Sequence, residues 1–162
     1  MAVAINKKSD VESKIQFLRR VPIFGGVDED NLIKMAHITS EKTYSKKNIV
    51  FHEGDYGDAL YVIKSGRIKI AKVAIDGREK TLTILKAGDF FGEMSLVDGK
   101  PRSASVRTVK PSAVIVIERK KIFDQLIVNP EIYLRILDRM SFRLRDFDQK
   151  YIQDILRKNK EL

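Results

Sequence analysis

The segment Arg67-Ile68-Lys69-Ile70-Ala71-Lys72-Val73 decides the fold class, because polar and apolar side chains alternate along it. Successive side chains of an extended strand point to opposite faces, so this alternation is typical of a strand with one buried and one solvated face. Strands of this kind belong to antiparallel sheets. The sequence therefore predicts a β-rich centre for the chain.

Turn signals repeat on both sides of this strand. Glycines stand at positions 66, 77, 88 and 99, and Ser65-Gly66, Asp76-Gly77 and Asp98-Gly99 are turn-type dipeptides. Short strands separated by turns at this spacing are typical of an antiparallel sandwich or barrel. The blocks between the glycines are dissimilar, so they are not a true repeat. We predict strands over residues 43–51, 59–65, 67–75, 78–86, 103–109 and 112–118.

Helical patterns precede the predicted strands. Ser9 and Glu12 have the spacing of a capping box, in which two side chains satisfy free N–H groups at a helix start. Apolar residues then recur every three or four positions as far as about Arg20. After a proline and two glycines, Asp28 is a suitable N-cap for a second helix. We therefore predict two short helices between residues 9 and 38.

Helical patterns also follow the strands. A short apolar face begins after residue 120, and Asn129-Pro130-Glu131 then supplies an N-cap, a proline at the first helical position and an acid in the first turn. Neither glycine nor proline interrupts the residues beyond it. We expect a long helix from about Pro130 to Lys158, so that C-terminal helices occupy residues 120–158.

The composition excludes several classes of site. The 162-residue chain has no cysteine, which excludes disulfides, zinc-thiolate centres, iron–sulfur clusters and a cysteine nucleophile. His37 and His52 have no second histidine at helical or strand spacing, so we expect no metal site and no enzyme activity. No stretch approaches the roughly 20 apolar residues that span a bilayer, and the N-terminus lacks the pattern of a signal peptide. We expect one soluble, cytoplasmic domain without a catalytic cofactor.

The charge is positive but evenly distributed. The chain has 31 lysines and arginines against 22 acidic residues, a formal net charge of +9, which favours anionic partners such as nucleic acid. The net charge is +3 over residues 1–50, +4 over 51–130 and +2 over 131–162. No segment is a basic block, so the charge gives little support for a nucleic-acid groove.

The segment Gly88–Val106 interrupts the alternation and contains residues suited to binding an anion. Gly92 allows close approach of the backbone, and one helical turn after it would offer free N–H groups. Arg102 follows a proline, where its guanidinium could bind two phosphate oxygens at once. Ser103 and Ala104 are small enough to offer further N–H groups.

Glu93 is the unexpected member of this segment, because a carboxylate repels phosphate. It is explained if the carboxylate accepts a hydrogen bond from a ribose 2′-hydroxyl, so that the site selects a ribonucleotide. The alternative is a surface ion pair between Glu93 and Arg102 beside an ordinary turn, worth about 0–1 kcal/mol. Spacing alone leaves the two alternatives open.

Phe91-Gly92-Glu93-Met94-Ser95-Leu96, followed by Pro101-Arg102-Ser103-Ala104-Ser105, resembles the phosphate-binding cassette of the cyclic nucleotide-binding domain family. This family includes regulatory subunits of cAMP-dependent protein kinase, cyclic nucleotide-gated channels and the bacterial catabolite activator. The resemblance extends over roughly residues 20–150. It implies an α+β fold, in which an antiparallel β-roll (a jelly-roll-like double-stranded β-helix) over residues 43–118 is flanked by the N-terminal helices and a long C-terminal helix. A single domain would then occupy residues 1–162.

The resemblance also implies roles for individual residues of the cassette at 91–105. Glu93 would bind the ribose 2′-hydroxyl and Arg102 the cyclic phosphate. Backbone N–H groups would complete the phosphate site at Gly92, Met94, Ser103 and Ala104. Apolar strand residues would face the sugar and base, namely Val73, Leu82 and Leu85, although core packing explains each of them equally well.

The base is the part of the ligand that the resemblance leaves open. Ser103 follows the cassette arginine, where a hydroxyl permits cGMP without requiring it. In the catabolite activator, hydroxyl residues of the C-terminal helix contact adenine, whereas Arg145-Asp146-Phe147-Asp148 contains none. Phe147 could stack on the base, Arg143 could face it, and an aspartate of this segment could accept from an amino group. We favour cAMP over cGMP because of the general usage of the family.

The long helix predicts a partner. Apolar residues repeat with heptad spacing at Leu137, Met140, Leu144, Phe147 and Tyr151, beside a second row at Ile132, Ile136, Ile152 and Leu156. One row could dock on the β-roll and the other on a second copy, which predicts a homodimer through residues 137–155. The alternative is one wide apolar stripe that serves only its own domain.

The domain would act through other segments or other proteins. In bacterial transcription factors of the family a helix-turn-helix follows the long helix, and here the long helix takes up the residues after Pro130. We therefore expect no direct sequence-specific DNA binding and no membrane partner. The predicted function is a non-catalytic sensor that signals to an unknown effector protein through its C-terminal helix. The alternatives are a ligand-independent scaffold and a domain cut from a larger regulator or channel.

Overall fold

The computed structural model describes the backbone of residues 2–160 and the side chains of residues 9–160. The helices are α1 (Ala2–Arg20), α2 (Glu29–Ile38), α3 (Glu93–Asp98), α4 (Arg119–Val128) and α5 (Glu131–Lys160), with a 3₁₀ turn at Pro22–Phe24. The strands are β1 (Ser40–Tyr44), β2 (Ile49–Phe51), β3 (Ala59–Ser65), β4 (Arg67–Val73), β5 (Glu79–Lys86), β6 (Phe90–Phe91), β7 (Ser105–Thr108) and β8 (Ser112–Glu118).

The strands form two four-stranded antiparallel sheets, in the orders β1-β8-β3-β6 and β2-β7-β4-β5. Strands β3 and β8 pair at the centre of the first sheet, where Leu60 lies opposite Ile117. Strand β4 lies between β5 and β7 in the second sheet. The predicted α+β fold, an antiparallel β-roll with flanking helices and a long C-terminal helix, is confirmed.

Strand β3 separates two hydrophobic clusters. Leu60 and Val62 face a cluster formed with the helices, whereas Ala59, Tyr61 and Ile63 face a second cluster inside the roll. The alternation along a strand produces this division, because neighbouring side chains point to opposite faces. Each fully buried aliphatic side chain stabilises the fold by about 1.5–3 kcal/mol. The helices therefore pack on the outer face of the first sheet, and the second cluster fills the inside of the roll.

Helix α5 is buried only near its start. Ile132 and Ile136 are buried in the helical cluster, and Met140 packs partly against it. Beyond Met140 the apolar side chains are partly or fully exposed. The helix therefore docks at its first turns, and the rest of it is largely exposed.

Several predicted boundaries are wrong for local reasons. Helix α1 begins at Ala2, so Ser9 lies inside the helix and does not cap it; no glycine or proline between Ala2 and Ser9 stops the helix earlier. By contrast, the Asp28 cap is confirmed, because its carboxylate accepts a hydrogen bond from the backbone N–H of Asn31 at 2.8 Å.

The predicted first strand, residues 43–51, is divided by a turn. Lys47 has a left-handed φ of 65°. Thr108 stabilises the turn, because its hydroxyl donates to the carbonyl of Ser45 at 2.6 Å and accepts from the N–H of Asn48 at 2.9 Å. A side chain sixty residues away thus ends the first strand, and strand propensity alone gives no signal of it.

None of the described helices, including the thirty-residue α5, combines the length and the apolar composition that a bilayer crossing requires.

Candidate functional site

A cavity of about 590 Å³ lies between the roll, the cassette and α5. Its lining includes Phe51, Ile70, Leu82, Thr83, Leu85, cassette residues from Phe91 to Ser95 and from Arg102 to Ala104, and α5 residues between Leu137 and Phe147. This volume falls within the 300–1,000 Å³ range of small-molecule sites. The cassette and the C-terminal helix, which are far apart in sequence, therefore border one cavity.

Gly92 positions the cassette. It has a φ of 84° and immediately precedes α3. A Cβ atom at this position would lie 2.8 Å from Nη1 of Arg102 and 2.9 Å from the carbonyl oxygen of Ala59. The backbone conformation and the close contacts both require glycine. Because the first N–H groups of a helix have no acceptor within it, the residues after Gly92 bring free donors to the cavity edge.

Arg102 is buried beside Gly92, with 4% of its surface exposed. Its Nη1 donates to the carbonyl of Gly92 at 3.0 Å and its Nη2 to the carbonyl of Ala59 at 3.2 Å, whereas Nε has no partner. The guanidinium carbon lies 4.2 Å from the ring centroid of Phe51. Desolvation lowers the pKa of Arg102, but the group stays charged because arginine is protonated at any pH that proteins normally meet.

Glu93 does not pair with Arg102. Its carboxylate accepts from Nη1 of Arg143 on α5 at 2.9 Å, and Arg143 also donates to the carbonyl of Phe90. Among the described residues no carboxylate forms a direct ion pair with Arg102. Desolvation has the largest effect on the pKa of Arg102, and the charges of Asp58 and Glu93 act on it only from a longer distance and raise that pKa. Both Glu93 and Arg102 are buried, so the alternative of a surface ion pair between them is wrong. A buried cation without a carboxylate partner is unfavourable unless an anion compensates it.

A second ion pair joins α5 to the same edge of the roll. Arg139, one turn before Arg143, donates to the carboxylate of Asp89 at 3.1 Å. Asp89 and Glu93 lie on either side of β6, and the two arginines are four residues apart on one face of the helix. Charge pairs therefore hold α5 over the cavity where apolar packing has ended.

Most of the residues predicted from the sequence line the cavity. The cassette residues Gly92, Glu93, Met94, Arg102, Ser103 and Ala104 do so, as do Leu82, Leu85, Arg143 and Phe147. The prediction that Val73 faces the sugar and base is wrong, because Val73 is 62% exposed and does not line the cavity. It stands at the last position of β4, beside the hairpin and beyond the part of the strand that contributes Ile70.

Several residues that line or border the cavity are not predicted from the sequence. Thr83 brings a hydroxyl to the cavity, and Phe51 provides the ring beneath Arg102. Tyr61 and Phe91 stack with ring centroids 4.9 Å apart beside that ring. The alternation along a strand indicates that such side chains point into the roll. Their contact with Arg102 depends on how the strands pair in the sheets, which alternation does not indicate.

The comparisons with known proteins agree with this geometry. Residues 41–129 match the family model described as "Cyclic nucleotide-binding domain". A CRP-like cAMP-activated global transcriptional regulator of Mycobacterium tuberculosis is 35% identical over 130 residues, which are 80% of this chain and 58% of the relative. A cGMP-dependent protein kinase of Caenorhabditis briggsae is 32% identical over 70% of this chain and 15% of its own length.

A solved structure also has this fold. The crystal structure of the catabolite activator protein of Thermus thermophilus aligns with a TM-score of 0.72 and 29% identity, over 83% of this chain and 62% of that one. The chain thus spans little more than half the length of its bacterial relatives. Since the family model covers more than half of the residues and includes the whole cassette, the chain belongs to the cyclic nucleotide-binding domain family.

Proposed function

We propose that this protein is a non-catalytic cyclic nucleotide sensor, in which the cassette at 91–105 binds the ligand. The observation that carries the proposal is Arg102, a buried guanidinium at the cavity with an unpartnered Nε and no carboxylate partner among the described residues. A guanidinium binds phosphate through several charge-assisted hydrogen bonds. Arg102 is the residue we assign to the cyclic phosphate.

The other cassette residues have separate roles in this proposal. Glu93 accepts a hydrogen bond from the ribose 2′-hydroxyl through the carboxylate oxygen that Arg143 does not use; a carboxylate has about four acceptor positions, so it can serve both partners. Backbone N–H groups of Gly92, Met94, Ser103 and Ala104 bind the remaining phosphate oxygens. The apolar strand residues Leu82 and Leu85 contact the sugar and base.

We propose cAMP in preference to cGMP as the ligand. The preference rests on two bacterial relatives that match 80% and 78% of this chain and are named as cAMP-activated and as a cyclic AMP receptor protein, whereas the nematode relative, named as cGMP-dependent, matches 70%. The hydroxyl of Ser103 contacts the sulfur of Met94 at 3.3 Å, and the hydroxyl of Thr83 also lines the cavity. Neither hydroxyl selects one purine on chemical grounds, so direct titration with both nucleotides decides the preference.

In this proposal ligand binding is transmitted to the effector through α5. Arg143 and Arg139 tie this helix to Glu93 and Asp89 at the cavity edge. A ligand that binds Glu93 therefore changes the surroundings of Arg143 and with them the position of the helix. The ligand can shift this equilibrium only by its differential affinity for the two helix positions. The effector is a protein that contacts the exposed part of α5.

A thermal shift tests the proposal. At a concentration 100 times the Kd, a ligand adds about 2.7 kcal/mol of stability. At about 2–4 °C per kcal/mol for a protein of this size, cAMP should raise the Tm by about 5–10 °C. The control is 2′-deoxy-cAMP, which lacks the hydroxyl assigned to Glu93 and should give a smaller shift. If millimolar cAMP and cGMP both leave the Tm unchanged, the chain is a ligand-independent scaffold and the sensor proposal fails.

We further propose a homodimer through residues 137–155 of α5. Leu137, Leu144, Phe147 and Tyr151 of the heptad row are exposed in the single chain, and Met140 of that row packs partly against its own domain. In the other row Ile132 and Ile136 are buried, whereas Ile152 and Leu156 are exposed beside the heptad row. Light scattering at high micromolar concentration should give twice the mass of the chain. Tyr151→Glu should lower this mass toward that of the monomer. Gln153→Glu, at a neighbouring exposed position, should not. A monomer at every concentration would rule out this homodimer.

A further inference from the structure

Gly57 lies in the loop between β2 and β3 and touches the guanidinium of Arg102. A Cβ atom at this position would lie 2.5 Å from both Nε and Nη2 of Arg102 and 2.7 Å from its Cζ. Real Cβ atoms do not approach other atoms this closely, so any side chain at position 57 requires a displacement. The guanidinium therefore occupies the space that a side chain at position 57 would need.

The backbone itself does not require glycine at position 57. Of the nine glycines, Gly57 and Gly25 are the two outside the left-handed region of φ. Alanine is thus compatible with the main chain at 57, in contrast to Gly92, where both the backbone and the contacts exclude it. At position 57 the contacts with Arg102, and not the backbone conformation, call for glycine.

The loop cannot easily move away from Arg102. The N–H of Gly54 donates to the carbonyl of Arg102 at 2.8 Å, and the N–H of Arg102 donates to the carbonyl of Asp55 at 2.8 Å. These two bonds tie the main chain of the loop to the main chain of the arginine. A side chain at position 57 would therefore displace the guanidinium rather than the loop.

Phe51 supports the same guanidinium through its ring. The guanidinium carbon lies 4.2 Å from the centroid of Phe51 and 5.7 Å from that of Tyr61. A cation over an aromatic face is attracted by the ring quadrupole, most strongly where water is excluded. Among the described residues no direct ion pair fixes Arg102, and Asp58 and Glu93 act on its charge only from a longer distance. The direct contacts of the guanidinium are therefore with the ring of Phe51 and the carbonyls of Gly92 and Ala59.

We propose that Gly57 and Phe51 are positioning residues for Arg102, which hold its guanidinium at the cavity in the orientation that binds the ligand phosphate. Gly57 leaves the space for the planar group, and Phe51 supports its face. The inference rests on the proposed function, because the affinity it affects is that for a cyclic nucleotide.

The first test is Gly57→Ala, measured by calorimetric titration with cAMP and cGMP. A misplacement of about 1 Å in a positioned group can cost about 100-fold, so we expect a 10- to 100-fold loss of affinity. The control is Gly25→Ala, at the other glycine with ordinary φ, where a Cβ atom would lie 3.2 Å from the exposed Arg135. This control should leave the affinity unchanged. Unchanged affinity in Gly57→Ala would overturn the inference.

An Arg102→Ala background separates positioning from a general structural role. In that background the space beside position 57 is empty, so Gly57→Ala should cause no further loss of affinity. It should also leave the Tm equal or slightly higher, because alanine restricts the unfolded chain more than glycine does. An equal loss of Tm with and without Arg102 would make Gly57 merely structural and would overturn the inference.

Phe51 provides a second test if Gly57→Ala folds poorly. Phe51→Leu removes the ring and should weaken nucleotide binding about 2- to 30-fold, whereas Phe51→Tyr keeps the ring and should restore most of the affinity. Equal affinities for the two variants would refute the role of the ring. If the unmodified protein binds neither nucleotide, the proposed function fails; the Tm comparison with and without Arg102 then still decides whether Gly57 makes room for the guanidinium.

Discussion

Arg102→Ala should lower the affinity for cAMP about 30- to 5,000-fold. Truncation of one partner of a desolvated charge pair typically costs about 2–5 kcal/mol, and each 1.4 kcal/mol is a factor of ten in Kd. Arg102 is 4% exposed and has no direct ion pair among the described residues, so the ligand phosphate would be the anion in direct contact with it. Isothermal titration of the variant and the unmodified protein measures the difference.

The control for this prediction is Arg102→Lys, which keeps the positive charge but not the planar guanidinium group. Lysine is a point charge with a different donor geometry, so its affinity should lie between those of the alanine variant and the unmodified protein. It also loses the aromatic stacking that the guanidinium makes with Phe51. If Arg102→Ala binds cAMP as well as the unmodified protein does, the assignment of Arg102 to the phosphate is wrong.

The local part of the site could be predicted from the sequence because its residues are close together in the chain. Gly92, Glu93 and Arg102 lie within eleven positions, and glycine, an acid and a proline-preceded arginine each have a chemical signature. The start of α5 was similarly local, since Asn129-Pro130-Glu131 contains the signals of a helix start, and the helix begins at Glu131. Short-range signals of this kind do not depend on knowledge of the fold.

The remaining parts of the site depend on contacts between distant residues. Arg143 reaches Glu93 across fifty positions, and a one-turn error in the docking of α5 would bring another side chain there. Phe51 meets Arg102 only because β2 pairs with β7, which follows the cassette. Val73 lies in a strand that the sequence predicts, but alternation does not indicate how far along β4 the cavity extends.

Arg143→Met should destabilise the ligand-free protein by about 3 kcal/mol. Removal of one member of a buried ion pair typically costs about 3–5 kcal/mol, because the other charge stays buried without a partner. We expect the lower end of this range, since the side chains of Arg143 and Glu93 are 19% and 10% exposed. Urea denaturation measures the loss. Hydrogen exchange should also become faster in α5 after Met140, where the ion pair of Arg143 with Glu93 follows the last apolar contact with the helical cluster.

The matched control for Arg143→Met is Arg139→Met, one turn earlier on the same helix. Arg139 and its partner Asp89 are more exposed, at 38% and 15%, so solvent screens the unpaired carboxylate and the loss should be about 1 kcal/mol. Adding Glu93→Gln to Arg143→Met removes the stranded charge and should recover much of the stability, as expected for two residues in one interaction. If Arg143→Met and Arg139→Met destabilise the protein equally, the link between Glu93 and α5 is not what holds the helix over the cavity, and the route proposed for the signal fails with it.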